Sequence, residues 1–137
     1  SDVSELGFTR NGIAVMPDMK RTDLGGSDMA KWTGMTAADK TKEATSKPGP
    51  ELEITQEMRQ VAFDNWETTD DHGMLIYGIA KDQIGNEYFM VKNSWGTDNK
   101  YNGTWYASKA FVKYKTMNIV VHKDALPKAI AKKLGLK

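Results

Sequence analysis

An α+β fold is predicted from three observations: apolar residues at helical spacing between Thr55 and Trp66, two apolar runs on either side of a Gly85-Asn86 turn, and a proline-initiated helix near the C-terminus. The first helix opens at Thr55, with Glu57 and Met58 in its first turn and Met58, Val61, Ala62 and Trp66 on one face; Thr68-Thr69-Asp70-Asp71 ends it. Met74 to Ala80 is a nearly continuous apolar run, the pattern of a strand covered on both faces. After the turn, Glu87 to Asn93 returns as the second strand of a hairpin. Thr104–Ala107 and Met117–Val121 are two further strand candidates. The last helix begins near Pro127, whose fixed φ suits a helix start, with Leu126, Ile130 and Leu134 forming a docking face and lysines around the rest.

Upstream of these elements the signals are weaker. Ser1 to Lys20 holds one short strand, Gly12 to Met16, which reads as an excursion rather than a core element. Between Asp23 and Pro50, Gly25-Gly26, Gly34 and Pro48-Gly49-Pro50 punctuate polar sequence, the pattern of loops with at most short helical turns. No internal repeat is present.

The 137 residues suit one domain, large enough to hide about two-thirds of the surface of the unfolded chain. Apolar residues at 39% and charged residues at 27% are ordinary for a globular protein, and no apolar run approaches the roughly 20 residues of a membrane-spanning helix. A net charge of +1 gives no wholesale attraction to nucleic acid or to an anionic membrane. The five lysines of residues 122–137 are read as the solvated side of the last helix rather than a phosphate-binding patch. The absence of cysteine removes disulfides, thiolate metal sites and a thiol nucleophile within the chain. The eight methionines are scattered and read as core filler.

The chemistry is concentrated at the open end of the hairpin. A turn centred near Ile84 brings Asn93 within about three positions of the residue opposite His72, so a bulge or a modest offset lets the two side chains meet. A histidine held by a neutral amide has one tautomer and one orientation favoured, and its second nitrogen is left for a nucleophile. An adjacent imidazolium would lower the pKa of a thiol from about 8.5 and hold a thiolate ready. Trp95, beside Asn93, could cover that hydrogen bond, or simply be a large core aromatic. Asp64, Glu67, Asp70 and Asp71 precede the histidine and read as a solvated helix end. His72, Asp70 and His122 have suitable donors for a metal but no recognised spacing, and no metal site is assigned.

Asn93-Ser94-Trp95-Gly96, preceded by two apolar strands with Asp71-His72-Gly73-Met74 at the head of the first, resembles the His/Asn half of papain-like cysteine peptidases. Within that clan the chain is more similar to bleomycin hydrolase and bacterial aminopeptidase C. Asp2 to Phe8, Trp66 to His72 and the stretch from Val120 through Pro127 carry that likeness. The resemblance implies the C-terminal antiparallel sheet or barrel half of a papain-like fold, with flanking helices, over residues 51–137. Residues 1–50 would be a loop-rich segment or insertion before it. It implies His72 and Asn93 as catalytic residues, Trp95, Ser94, Gly96 and Asp71 as their support, and no cofactor. The reacting cysteine and an oxyanion-hole glutamine would lie upstream of this sequence, so the chain is expected to be a fragment, a truncated form or one product of a split chain; Gln83, in the turn, is not assigned the oxyanion role. Peptide substrates, an upstream cysteine-bearing half, a hexameric cage and a cytoplasmic location are further implications. So is a tail, Leu134 to Lys137, in which Leu136 and Lys137 would anchor the substrate amine. An isolated half would expose apolar surface that its other half covers. The alternative is a peptide-binding or assembly domain that keeps the fold without the nucleophile.

Overall fold

A computed structural model of the chain describes residues 1–136. The sheet is built around the predicted hairpin: β3 (Leu75–Lys81) and β4 (Glu87–Lys92) pair antiparallel, and β5 (Thr104–Ser108) pairs antiparallel with β4. Two short strands complete it. β1 (Phe8–Thr9) pairs antiparallel with β2 (Ile13–Ala14), and β2 runs parallel to β5, so the order is β1-β2-β5-β4-β3. Five helices flank the sheet: α1 (Gly26–Gly34), α2 (Ala37–Ser46), α3 (Gln56–Asp64), α4 (Lys109–Lys115) and α5 (Lys128–Lys133), with a 3-10 turn at Lys123–Ala125. Among the described residues no helix is long and apolar enough to cross a membrane.

The core lies between the sheet and α4. Alternation along β4 and β5 puts Val91, Trp105 and Ala107 on one face, where they meet Ala14, Met16 and Phe111, with Phe8 and Phe89 at the margin. Phe8 stacks on Trp105 at 5.8 Å, and the Trp105 indole nitrogen donates to Thr9 O at 2.8 Å. Such a pair adds about 0.5–1.5 kcal/mol beyond its buried area. The Gly12–Met16 stretch is therefore no excursion: Ala14, Val15 and Met16 are buried, and Gly7 lies so close to Val15 that a Cβ there would run into its carbonyl oxygen. A two-residue strand is too short to show alternation, and its burial comes from partners about 90 residues away.

Other expectations need correction. Residues 23–50 hold two helices of nine and ten residues rather than loops; Trp32 of α1 is buried, with its indole nitrogen donating to Met19 O, and Thr36 caps α2 by accepting from Asp39 N. The helix at Thr55 starts as expected, with the Thr55 hydroxyl accepting from Met58 N, but it stops at Asp64; Trp66 turns left-handed at φ 65° and its indole is exposed. Met117–Val121 forms no strand, and Val120 is fully in solvent. β3 is an edge strand with Leu75, Tyr77 and Ile79 exposed, not one covered on both faces. α5 is shorter than the predicted face, holding Ile130 but not Leu126 or Leu134, and it is undocked, since Ile130 and Leu134 are exposed.

Candidate active site

The loop from Glu67 to Met74 has neither helix nor strand, yet it delivers His72 to the sheet. The pairing Lys81↔Glu87 through Gly78↔Met90 slips by one residue at a bulge, so that Ile76 faces Val91 and Leu75 faces Lys92. Extending that register draws Asn93 one step towards His72. The two side chains meet: His72 Nε2 and Asn93 Oδ1 are 2.7 Å apart. Ser94 N also donates to Asn93 Oδ1, at 2.7 Å, which fixes that amide atom as the oxygen. His72 Nε2 is then the protonated nitrogen and Nδ1, across the ring, is the one left for a nucleophile.

Asn93 is buried and His72 half-buried. Trp95 packs against the histidine, ring centroids 5.0 Å apart, and meets Phe8 and Trp105 in T-shaped geometry. Trp95 is 48% exposed, so it is not the buried core aromatic that its size allowed. Gly103 closes the base of the loop: Asn93 N donates to Gly103 O, and with φ 79° and no side chain Gly103 lets the Gly96 carbonyl approach. Asn93 Nδ2 is buried without a partner among the described residues, at a cost of about 1–3 kcal/mol.

The N-terminal segment brackets the histidine. Ser1 N donates to His72 O and His72 N to Ser1 O, while the Asp71 carboxylate accepts from Val3 N and Ser4 Oγ. Asp71 is thus a tie to residues 1–4 rather than part of a free acidic surface. Asp2 and Lys115, both buried, hold the residues just before it. Burial raises the Asp2 carboxyl pKa, but N–H donors from Thr69 and Ser4 and the Lys115 charge outweigh it and leave the carboxyl below its ordinary value. Sequence reasoning missed Asp2, Lys115 and Gly103. Nothing local marks the first two, whereas the Asn102-Gly103 pair was a visible turn signal.

Not every predicted residue joins the site. Leu136 follows α5, its N–H donating to Ala131 O; Lys137 lies outside the described residues. Two cavities of about 550 and 560 Å³ lie elsewhere, one between the α2 C-terminal segment and the hairpin turn, the other beside α4. Neither touches His72 or Asn93, so cavity size and chemistry point to different places; the chemistry is the better guide, because the His-Asn-Trp geometry has a specific use. Among the described residues no cluster of three or more metal-ligating side chains occurs.

An α+β sheet that presents a histidine, its amide partner and an adjacent indole at the mouth of one hairpin is the architecture of half of a papain-like peptidase site. The sequence pattern of the Peptidase C1-like family matches residues 29–136, and the chain belongs to that family of papain-like cysteine peptidases. It is 35% identical to aminopeptidase C of Lactococcus lactis subsp. cremoris over 81 residues, 58% of this chain and 18% of that protein. It is 46% identical to cathepsin L1 of Drosophila melanogaster over 43 residues, and 56% identical to cathepsin L of Sarcophaga peregrina over 27. Those matches cover 31% and 20% of this chain and 10% and 8% of the two cathepsins. The matches thus span less than a fifth of each relative's length.

Proposed function

We propose that this chain is the His/Asn-bearing part of a cysteine aminopeptidase of the bleomycin hydrolase and aminopeptidase C type, which removes N-terminal residues from peptides by thiol acyl transfer. The observation that carries the reading is the 2.7 Å contact of His72 Nε2 with Asn93 Oδ1 beside the Trp95 ring. The likeness to aminopeptidase C supports the aminopeptidase class. Since the chain has no cysteine, the thiol comes from an upstream half of the enzyme.

In this reading the thiolate attacks the peptide carbonyl carbon, and His72, protonated at Nδ1, gives that proton to the leaving amine as the C–N bond breaks. Water then attacks the thioester; neutral His72 takes a proton from it, the C–S bond breaks, and the acid product leaves with the thiolate and imidazolium restored. Asn93 and Trp95 keep the ring in place through both steps. Residues 51–137 form the His/Asn half, with β1 and β2 joined to its sheet. The family resemblance further supports a hexameric cage, a tail at Leu136 and Lys137 near the substrate amine, and a cytoplasmic location.

The test is His72→Ala in the enzyme that contains this chain together with its thiol. Aminoacyl substrate turnover is expected to fall by about 10⁴-fold or more. Turnover at the parent rate would refute the assignment. The absence of cysteine favours a second reading, a peptide-binding or assembly domain without catalysis. Peptide binding by an assembly that never hydrolyses its ligand, whatever thiol is present, would select it.

A further inference from the structure

We propose that Lys115 is the positioning residue of the histidine loop, acting with Asp2 to hold residues 67–72 so that the His72 ring reaches Asn93. This rests on the reading of His72 as the catalytic base. The Lys115 ammonium is buried at 1% exposure, donates to Glu67 O and Thr68 Oγ1 at 3.0 Å each, pairs with the Glu5 carboxylate and lies over the Tyr114 ring at 4.6 Å. The backbone of the same residue fixes Asp2, whose N–H donates to Lys115 O at 2.9 Å. The Asp2 carboxylate then accepts from Thr69 N at 2.9 Å and from Ser4 N at 2.8 Å.

Successive residues of the loop are therefore gripped in turn: 67 and 68 by Lys115, 69 by Asp2, 71 by Val3 and Ser4, and 72 by Ser1. Apart from Thr68 N, which donates to Ala62 O near the end of α3, no helical or sheet ladder restrains them. A buried ammonium with three oxygen partners has one favoured place, and removing it leaves the Glu5 carboxylate without its countercharge and the Glu67 carbonyl and Thr68 hydroxyl without their donor. The cost falls on the loop, because α4 retains its own ladder and its Phe111 anchor in the core.

The test reads the ring and needs no thiol. In the ¹⁵N-labelled 137-residue chain, Lys115→Met is expected to speed solvent exchange of the His72 Nε2 proton by about tenfold or more, the equivalent of losing one ordinary hydrogen bond. The ring-current shift from Trp95 should also disappear. The signals of His122, exposed beside Asp124, and the far-ultraviolet circular dichroism should stay unchanged. Parent-like His72 signals in a folded variant would overturn the proposal. Should Lys115→Met fail to fold, Asp2→Asn, which leaves the ammonium in place, decides by the same reading: a displaced His72 ring supports the clasp and an undisturbed one refutes it. Failure here leaves catalysis by His72 standing. Conversely, an enzyme still active as His72→Ala would refute the catalytic reading and leave the His72 ring response to Lys115→Met as the separate test of the clasp.

Discussion

At the turn of the β3–β4 hairpin one carboxylate, Asp82, gathers the N–H groups of Ile84 and Asn86 and the Asn86 amide, all within four residues. At the open end the restraints span the chain: His72 meets Asn93 across 21 residues, Asp2 holds Thr69 across 67, and Lys115 holds Thr68 across 47. The turn needs only its own sequence to form. The His72 end exists only after three distant segments have assembled, which makes it precise when folded and the first part to loosen when any one of them shifts.

The largest test of that contrast is Gly103→Ala. The φ of 79° costs a non-glycine residue about 1–3 kcal/mol, and the added Cβ would collide with the Gly96 carbonyl, so a total loss above about 3 kcal/mol is expected in urea unfolding. The Asn93–Gly96 loop should move with it and release the His72 ring. A destabilised variant with an undisturbed ring would show that the loop over the histidine is set independently of Gly103.

Acid sharpens the comparison by a smaller amount, because each end carries a carboxylate with a lowered pKa. For Asp82, burial raises the pKa, and the N–H donors of Asn86 and Ile84 bring it down further than burial lifts it. Asp2 is lowered by its own donors in the same way. A folded pKa below the unfolded value of about 3.9 means stability that is present above that pH and lost as the pH falls through the folded value. Both Asp2→Asn and Asp82→Asn should therefore weaken the chain at neutral pH and flatten its decline below about pH 4. Only Asp2→Asn should also disturb the His72 ring; a ring response to Asp82→Asn would dissolve the distinction between the two ends.

What could be read beforehand follows the same division. Gly85-Asn86 and Thr55 were legible because turns and caps are written within a few residues. The nearness of His72 and Asn93 was legible too, since antiparallel pairing converts residue numbers into opposition, and the bulge at Tyr77 adjoins Gly78, an isolated glycine of the kind that marks one. The Asp2 and Lys115 clasp was not, because its partners sit at opposite ends of the chain and each alone looks like a surface charge. α1 and α2 escaped because they are short and polar, with Gly25-Gly26 and Gly34 at the limits of α1. Near Pro127 the start of a helix was legible, but of Leu126, Ile130 and Leu134 only Ile130 lies within it, and spacing could not say whether a surface lay opposite.

The smallest effect belongs to β3, which carries the site at one end and an apolar edge along its length. Leu75 at 64% and Ile79 at 66% exposure make few contacts to lose, and an unpaired strand edge of this kind invites pairing with another chain. Ile79→Lys should therefore shift the unfolding free energy by less than about 0.5 kcal/mol while reducing concentration-dependent association in sedimentation. Because Ile79 lies between the turn and the bulge, the His72 ring signals should not change. A loss above about 1 kcal/mol would mean that Ile79 is packed in the solution state, and that the edge is covered by the chain itself or by a second copy.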